Sequence, residues 1–261
     1  MNATRILLLL AVLFTVVITA LSPLQTAVAQ DAAPTSVSPA RTPWYLGISA
    51  GVFYSMHSGG FSFPGDCEGC GVYGDASGLG SALDLRLSIP IARWLRIEPR
   101  IFGECHRGDF TSDPIASEII GKDMKPQAIV LEDELSYTLR LIGIDLMASV
   151  QIGRTGLAVL AGPALGFHVS ETATVNERIA SPDGALFIDG SRDHTVYDDD
   201  VAMARSMHAG LRAGIGYTLP LNQDLALGFE ATWLLPLQTV GEDHEWKTAG
   251  VRGLLSVLFA W

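Results

Sequence analysis

Lysine is nearly absent from this chain: Lys122, Lys125 and Lys247 are its only three among 261 residues. Soluble β proteins place lysine on solvent-facing strands and edges, where its hydrated charge blocks unwanted pairing. The scarcity is a first sign that the outside of this protein does not face water. Past residue 20 there is also no apolar run approaching the roughly 20 residues a membrane-crossing helix requires. Any insertion into a bilayer must therefore use strands. There is no basic patch and the formal charge is −11, which excludes a nucleic-acid partner. Cysteine is limited to Cys67, Cys70 and Cys105, which suits an oxidising compartment but leaves one thiol over if any two join.

What is present begins with an address. Arg5 gives the start a positive charge, Ile6 to Ala20 form an apolar stretch, and Ala27-Val28-Ala29 supplies small residues at a cleavage site. That layout predicts a secretory signal peptide over residues 1–29, removed after Ala29. Residues 30–43, rich in Ala, Pro, Ser and Thr, read as a flexible lead-in. The remainder, 44–261, suits one β domain.

Eight segments there alternate with period two: roughly 44–55, 77–90, 94–106, 136–151, 156–171, 203–219, 224–240 and 248–261. Each exceeds the roughly 9 to 11 residues with which a tilted strand crosses a bilayer. Their connections alternate too. Residues 90–93, 152–155 and 220–223 form tight turns, whereas 56–76, 107–135 and 172–202 are long and 241–247 is intermediate. Short turns on one side and long loops on the other are the pattern of an outer-membrane barrel with both termini in the periplasm.

The two faces of these strands differ. Leu79, Leu83, Leu85, Leu87 and Ile89 oppose Gly80, Ala82, Asp84, Arg86 and Ser88; Leu157, Val159, Leu165 and Phe167 oppose Ala158, Gly162, Ala164 and Gly166. The fourth segment breaks rule near Arg140 to Gly143, where a bulge or a change of face is expected. A soluble lipocalin-like ligand-binding barrel would alternate as well, with its apolar face inward. Four features favour the apolar face outward. The polar face is rich in glycine and alanine, which suits a crowded eight-stranded interior. Its charges balance: Arg86, Arg96, Arg100, Arg212 and Arg252 face Asp84, Glu98, Glu104, Asp145 and Glu230, as a closed lumen requires. Aromatics fall near the segment ends, with Trp44, Tyr45, Trp94, Tyr217 and Trp261 toward one interface and Tyr54, Phe167, Trp233 and Trp246 toward the other. Last, the sequence closes on Gly253, Val257, Phe259 and Trp261 sharing one face, which resembles the C-terminal signal read by the barrel assembly machinery.

This pattern over 44–261 resembles the outer-membrane β-barrel domain family, OmpA-like in its transmembrane part and PorT-like in strand and loop lengths. The resemblance implies a monomer with periplasmic termini, variable external loops and partners in outer-membrane lipid and the assembly machinery. It brings no catalytic motif. The fold class expected is therefore all-β, an eight-stranded antiparallel up-and-down transmembrane β-barrel.

Candidates for chemistry are few. Most of the carboxylates fall in the long connections, so the negative charge is an external feature. Asp198-Asp199-Asp200, with Asp189, Asp193 and His194 upstream, offers hard oxygen ligands to a divalent cation, or else a solvated acidic loop. Cys67 and Cys70 could pair with each other or one of them with Cys105, or all three could join His57 or His106 at an incomplete zinc site. His168-Val169-Ser170, followed by Glu171, resembles the His-x-Ser of lipid A deacylases, although both side chains are expected in the lumen rather than on the lipid side. The sequence thus predicts a cofactor-free structural or interaction barrel, its lumen plugged by arginine–carboxylate pairs and its acidic loops meeting an unidentified ligand or protein. A lipid-modifying barrel enzyme and a soluble ligand-binding barrel are the alternatives.

Overall fold

Alternation of large and small, apolar and charged residues drives this chain into strands, the only regular elements among the described residues. The computed structural model describes residues 43–62, 72–120, 126–241 and 245–261. The expected signal peptide, nearly all of the lead-in, and Cys67 and Cys70 lie outside these. The strands are β1 (Tyr45–Ser58), β2 (Phe61–Ser62), β3 (Val72–Tyr73), β4 (Ala76–Pro90), β5 (Leu95–Thr111), β6 (Ile115–Ile120), β7 (Pro126–Gln151), β8 (Leu157–Ser181), β9 (Asp193–Asp200), β10 (Met207–Pro220), β11 (Leu225–Pro236) and β12 (Lys247–Ala260). No helix among the described residues is long and apolar enough to cross a membrane.

Eight of the strands pair in a ring, each antiparallel to its neighbour in sequence: β1–β4–β5–β7–β8–β10–β11–β12. The ring returns to its start through β12 and β1, which pair from Tyr45 opposite Ala260 to Ser58 opposite Lys247. Trp44 and Trp261 exchange two further backbone bonds, of 3.1 and 2.9 Å. One end of the ring carries the three short turns. In the 152–156 turn Gly153 and Gly156 have φ of 61° and 81°, a conformation a Cβ disfavours, and the amide of Ile152 donates to the carbonyl of Leu157 at 2.8 Å.

The other end is not looped as the sequence suggests. The stretches 107–135 and 172–202 are largely sheet. β5 runs on to Thr111, β7 begins at Pro126, β8 continues to Ser181, and β6 and β9 pair on their outer flanks. A four-stranded sheet, β6-β7-β8-β9, thus rises from the ring.

β7 also corrects the expected change of face. Its odd-numbered residues from Ile129 to Ser149 are all buried, so its backbone keeps phase through Arg140–Gly143. The chemistry inverts instead. Below this level the buried side holds Gly143, Asp145 and Ser149 and the outer side Ile142, Ile144 and Leu146. Above it the buried side holds Leu135, Tyr137 and Leu139 and the outer side Glu134, Ser136 and Arg140. The irregularity in pairing belongs to the partner strand: Leu141 lies opposite His168 and Arg140 opposite Ser170, which makes Val169 the extra residue of a β-bulge in β8.

Candidate functional site

The lower half of the ring is filled by charge. Asp84, Arg86, Arg96, Glu98, Arg100, Glu104, Asp145, Arg212, Glu230 and Arg252 are all buried on its inner side. They come from six strands, each supplying inward residues at every second position. Arg252, fully buried, is the hub: its guanidinium lies 3.3 Å from Glu104, 3.4 Å from Asp145, 3.5 Å from Glu230 and 3.9 Å from Asp84. Arg212 grips Glu104 at 2.7 Å and Asp145 at 3.2 Å. Arg100 reaches Glu230 at 2.6 Å, Glu98 at 2.7 Å and Asp84 at 3.7 Å, and Arg86 reaches Glu230 at 3.2 Å. Asp84 accepts no hydrogen bond from the described residues. Arg96 stands apart, bonded to Ser88 and the Pro43 carbonyl rather than to a carboxylate. Small residues make the room: a Cβ on Gly228 would collide with the Arg86 guanidinium, and one on Gly143 with the Phe102 ring.

Above this network lies an aromatic cap that the sequence reading missed. Phe61, Tyr73, Phe110, Tyr137 and Trp246 are buried together with Leu135, Leu139, Val175 and Met203. Trp246 stacks on Phe61 with ring centres 4.6 Å apart and meets Tyr137 edge-on at 4.8 Å. Its expected place was the aromatic girdle; it is fully buried instead. Tyr45 departs likewise, facing inward with the Arg96 guanidinium 4.9 Å over its ring. The signal for the cap was the inverted parity of Tyr137 and Leu139 within the fourth segment, where a bulge or change of face was expected, and of Leu135 just before it, assigned to a loop.

His57 ties the cap to the ring. Its Nε2–H donates to the carbonyl of Arg107 at 2.8 Å, while Nδ1 accepts from the Trp246 indole at 3.1 Å and the Thr248 hydroxyl at 2.9 Å. This set suits the neutral ring, and burial pulls its pKa down from 6.5 to about 4. Glu171 plays a similar part on the far wall. Its buried carboxylate accepts from the Tyr137 hydroxyl at 2.8 Å and from the amides of Met203 and Ala204, and so pins the segment between β9 and β10. Burial, then the Glu171 charge, pushes the Tyr137 hydroxyl well above its usual range.

The structure separates the other candidates. His168 is half-buried on the inner side, 3.7 Å from Glu171. Ser170, expected beside it, is turned to the outer face by the Val169 bulge and pairs with Arg140 at 3.3 Å. The hydroxyl and imidazole are thus on opposite sides of the sheet, and no His–Ser dyad is assembled. Cys105 lies on the outer side of β5 and joins no cysteine among the described residues, its expected partners Cys67 and Cys70 lying outside them. Asp198, Asp199 and Asp200 lie along β9, whose successive side chains alternate sides. Among the described residues no three His, Cys, Asp or Glu side chains converge as a metal site would need. Val257, Phe259 and Trp261 stand exposed on the outer face with Gly253 in line.

No protein-family profile matches the chain, and no curated protein matches it in sequence. Solved structures with a related shape include Neisserial surface protein A, with 11% identity over 84% of this chain and 98% of that one, TM-score 0.39. Ail, the attachment invasion locus protein of Yersinia pestis, has 9% identity over 84% and 100%, TM-score 0.29. The outer membrane protease OmpT of Escherichia coli has 10% identity over 87% and 97%, TM-score 0.31.

Proposed function

We propose that the chain is an integral outer-membrane protein: an eight-stranded up-and-down transmembrane β-barrel whose charged lumen is closed and whose extracellular sheet is its working surface. The observation that carries this reading is the inversion of face chemistry at one height. In β5, β7 and β8 the strands pass without a break from charged or small inside and apolar outside to apolar inside and polar outside. Water as the outer solvent accounts for the upper half alone; a hydrocarbon solvent accounts for the lower.

The apolar segments are 46–54, 79–91, 94–105, 142–152, 157–167, 207–219, 225–233 and 251–259, each about ten residues, which is what a tilted strand needs. Ile48, Leu83, Ile101, Ile144, Ile215 and Phe259 are all more than half exposed there. A soluble protein does not leave a belt of that extent open to water. The same orientation counts against the soluble ligand-binding barrel, whose apolar face would turn inward. Trp44, Trp94, Tyr217 and Trp261 at the turn side and Tyr54, Phe167 and Trp233 at the other are the interface aromatics.

Five arginines and five carboxylates packed among small residues leave the lumen no open path, so passive conduction is not its role. With His168 and Ser170 on opposite faces, a deacylase-type reaction has no assembled centre. What is left for a partner is the raised sheet, in which β6 and β9 each have one edge that pairs with no strand among the described residues. An extended segment of another protein adds to such an edge by main-chain hydrogen bonds. The structural or interaction role therefore rests on β6-β7-β8-β9.

An epitope inserted at Asp183, in the exposed turn between β8 and β9, tests the reading. Antibody labelling of intact cells, with a boiling-dependent gel shift of the detergent-folded protein, is the expected result. Labelling only after permeabilisation, or a fold that forms in plain buffer, would overturn it.

A further inference from the structure

The turn end of the ring holds arginines that the interior network does not use. A cavity of about 260 Å³ opens there, and its lining includes Arg86, Arg93, Arg96 and Arg154 against two carboxylates, Glu98 and Glu230. Both glutamates are engaged already. Glu98 lies 2.7 Å from Arg100, and Glu230 lies 2.6 Å from Arg100 and 3.2 Å from Arg86.

Arg96 is the unusual member. It is 7% exposed, yet it forms no ion pair with any described carboxylate. Nε donates to the Ser88 hydroxyl at 2.6 Å, and Nη2 donates to the carbonyls of Pro43 at 2.8 Å and Ser88 at 3.0 Å. The Tyr45 ring lies under the guanidinium plane. Those contacts fix the fork and leave Nη1 without a bond to the described residues. Arg93 and Arg154 stand exposed in two of the short turns, likewise without an ion pair among the described residues. The one carboxylate neighbour of Arg96, Glu98, is reached only through the Ser88 hydroxyl, which donates to Glu98 at 3.0 Å, and is itself paired with Arg100. A buried guanidinium held rigidly on one side thus faces a cavity rimmed by two further cations without a direct counter-ion among the described residues.

We propose that this mouth binds a phosphate group, with Arg96 as the fixed donor and Arg93 and Arg154 closing from the rim. Arg96 offers the two N–H bonds of Nη1, while the exposed forks of Arg93 and Arg154 can each match two phosphate oxygens, and together they suit a group that offers several. Ser149, Gln151 and Thr218 also line the cavity beside Leu160, Phe229 and Leu258, so the organic part of a phosphate ester meets hydroxyls and an amide as well as apolar side chains. Two sources carry this chemistry: a soluble phosphate ester, or the headgroup of a phospholipid in the adjoining leaflet.

The test uses the full mature chain folded in non-ionic detergent, its fold checked by the boiling-dependent gel shift. Glycerol 3-phosphate and dihexanoyl phosphatidylglycerol are titrated separately by calorimetry. Saturable binding of either supports the site; the first alone assigns it to soluble esters, the second alone to lipid. The R93Q/R154Q double variant, altered only in exposed turns, should bind about tenfold more weakly, the equivalent of about 1.4 kcal/mol. R96Q should lose binding, and R107Q, at the opposite end, should leave it unchanged. The proposal falls if neither probe binds the folded protein, or if R93Q/R154Q binds as tightly as the parent chain.

Discussion

Replacing Arg252 by methionine removes the cation on which four buried carboxylates converge, at 3.3 to 3.9 Å. At an effective dielectric constant of about 20, each such contact carries about 4–5 kcal/mol of gross attraction. Repulsion from Arg100 and Arg212 and the lost hydration of every partner offset most of this. The net expectation is the cost of breaking a buried pair, about 3–5 kcal/mol. Asp84 is the carboxylate worst served afterwards, because it accepts no hydrogen bond and would keep only Arg100, 3.7 Å away. Converting Asp84 to asparagine alone should cost about 1 kcal/mol. The two changes together should cost clearly less than R252M alone, with a coupling of about 2 kcal/mol. Urea unfolding of the chain in lipid vesicles, followed by tryptophan fluorescence and gel mobility, measures all three. If R252M loses less than about 1 kcal/mol, or the two losses simply add, the interior is not the coupled network drawn here.

The cap supplies further tests. With its pKa held near 4 instead of 6.5, His57 is neutral in the folded cap. The unfolded cap therefore binds the extra proton between those values, so stability is full above pH 6.5 and declines as pH falls toward 4, by about 3 kcal/mol in all. Proteolysis of the cap should accelerate over that window, and H57Q should lack the His57 part of the slope; an unchanged profile would refute the assignment. Trp246→Ala should open the cap to protease at a cost of about 3–5 kcal/mol while the boiling-dependent gel shift persists; loss of the shift would mean that the cap and ring fold as one unit. Ser170→Ala removes one bond to Arg140 and should change stability by no more than about 0.5 kcal/mol. If it abolished hydrolysis of a lipid ester by the purified protein, the dyad argument would be wrong.

How much of this was legible beforehand depended on whether polarity and geometry changed together. In β4 and β12, and in β5 as far as Cys105, the apolar side keeps one parity, and Asp84, Arg86, Arg100 and Arg252 could be set on one side from the sequence alone. In β7 the apolar side switches parity at Leu141 while the backbone does not, and period-two reasoning then mistakes a change of surroundings for a change of strand. Trp246 and Tyr45 went astray because an aromatic near a strand end fits a girdle as well as a core; only the inward parity of Tyr45, shared with Gly47 and Ser49, tells the two apart. Ser170 was misplaced because one inserted residue, Val169, reverses the side chains that follow it in β8 as far as Ile179, and no local composition announces it. The isolation of Arg96 had no signal either, since pairing across strands depends on stagger.

The hairpin of β7 and β8 has a consequence for how the molecule comes to be made. Each strand would span about 85 Å if fully extended, far more than a bilayer's roughly 30 Å. Its tip is rich in carboxylates and its closing turn, Ile152 to Gly156, stays on the entry side. If the ring spans a bilayer as proposed, the polar tip has to cross it before Trp246, Phe61 and Phe110 enclose their cap. On that reading the rungs nearest the turn and those nearest the tip lie on opposite sides of the membrane. The surface proposed to meet partners would then be the part of the hairpin with the furthest to travel.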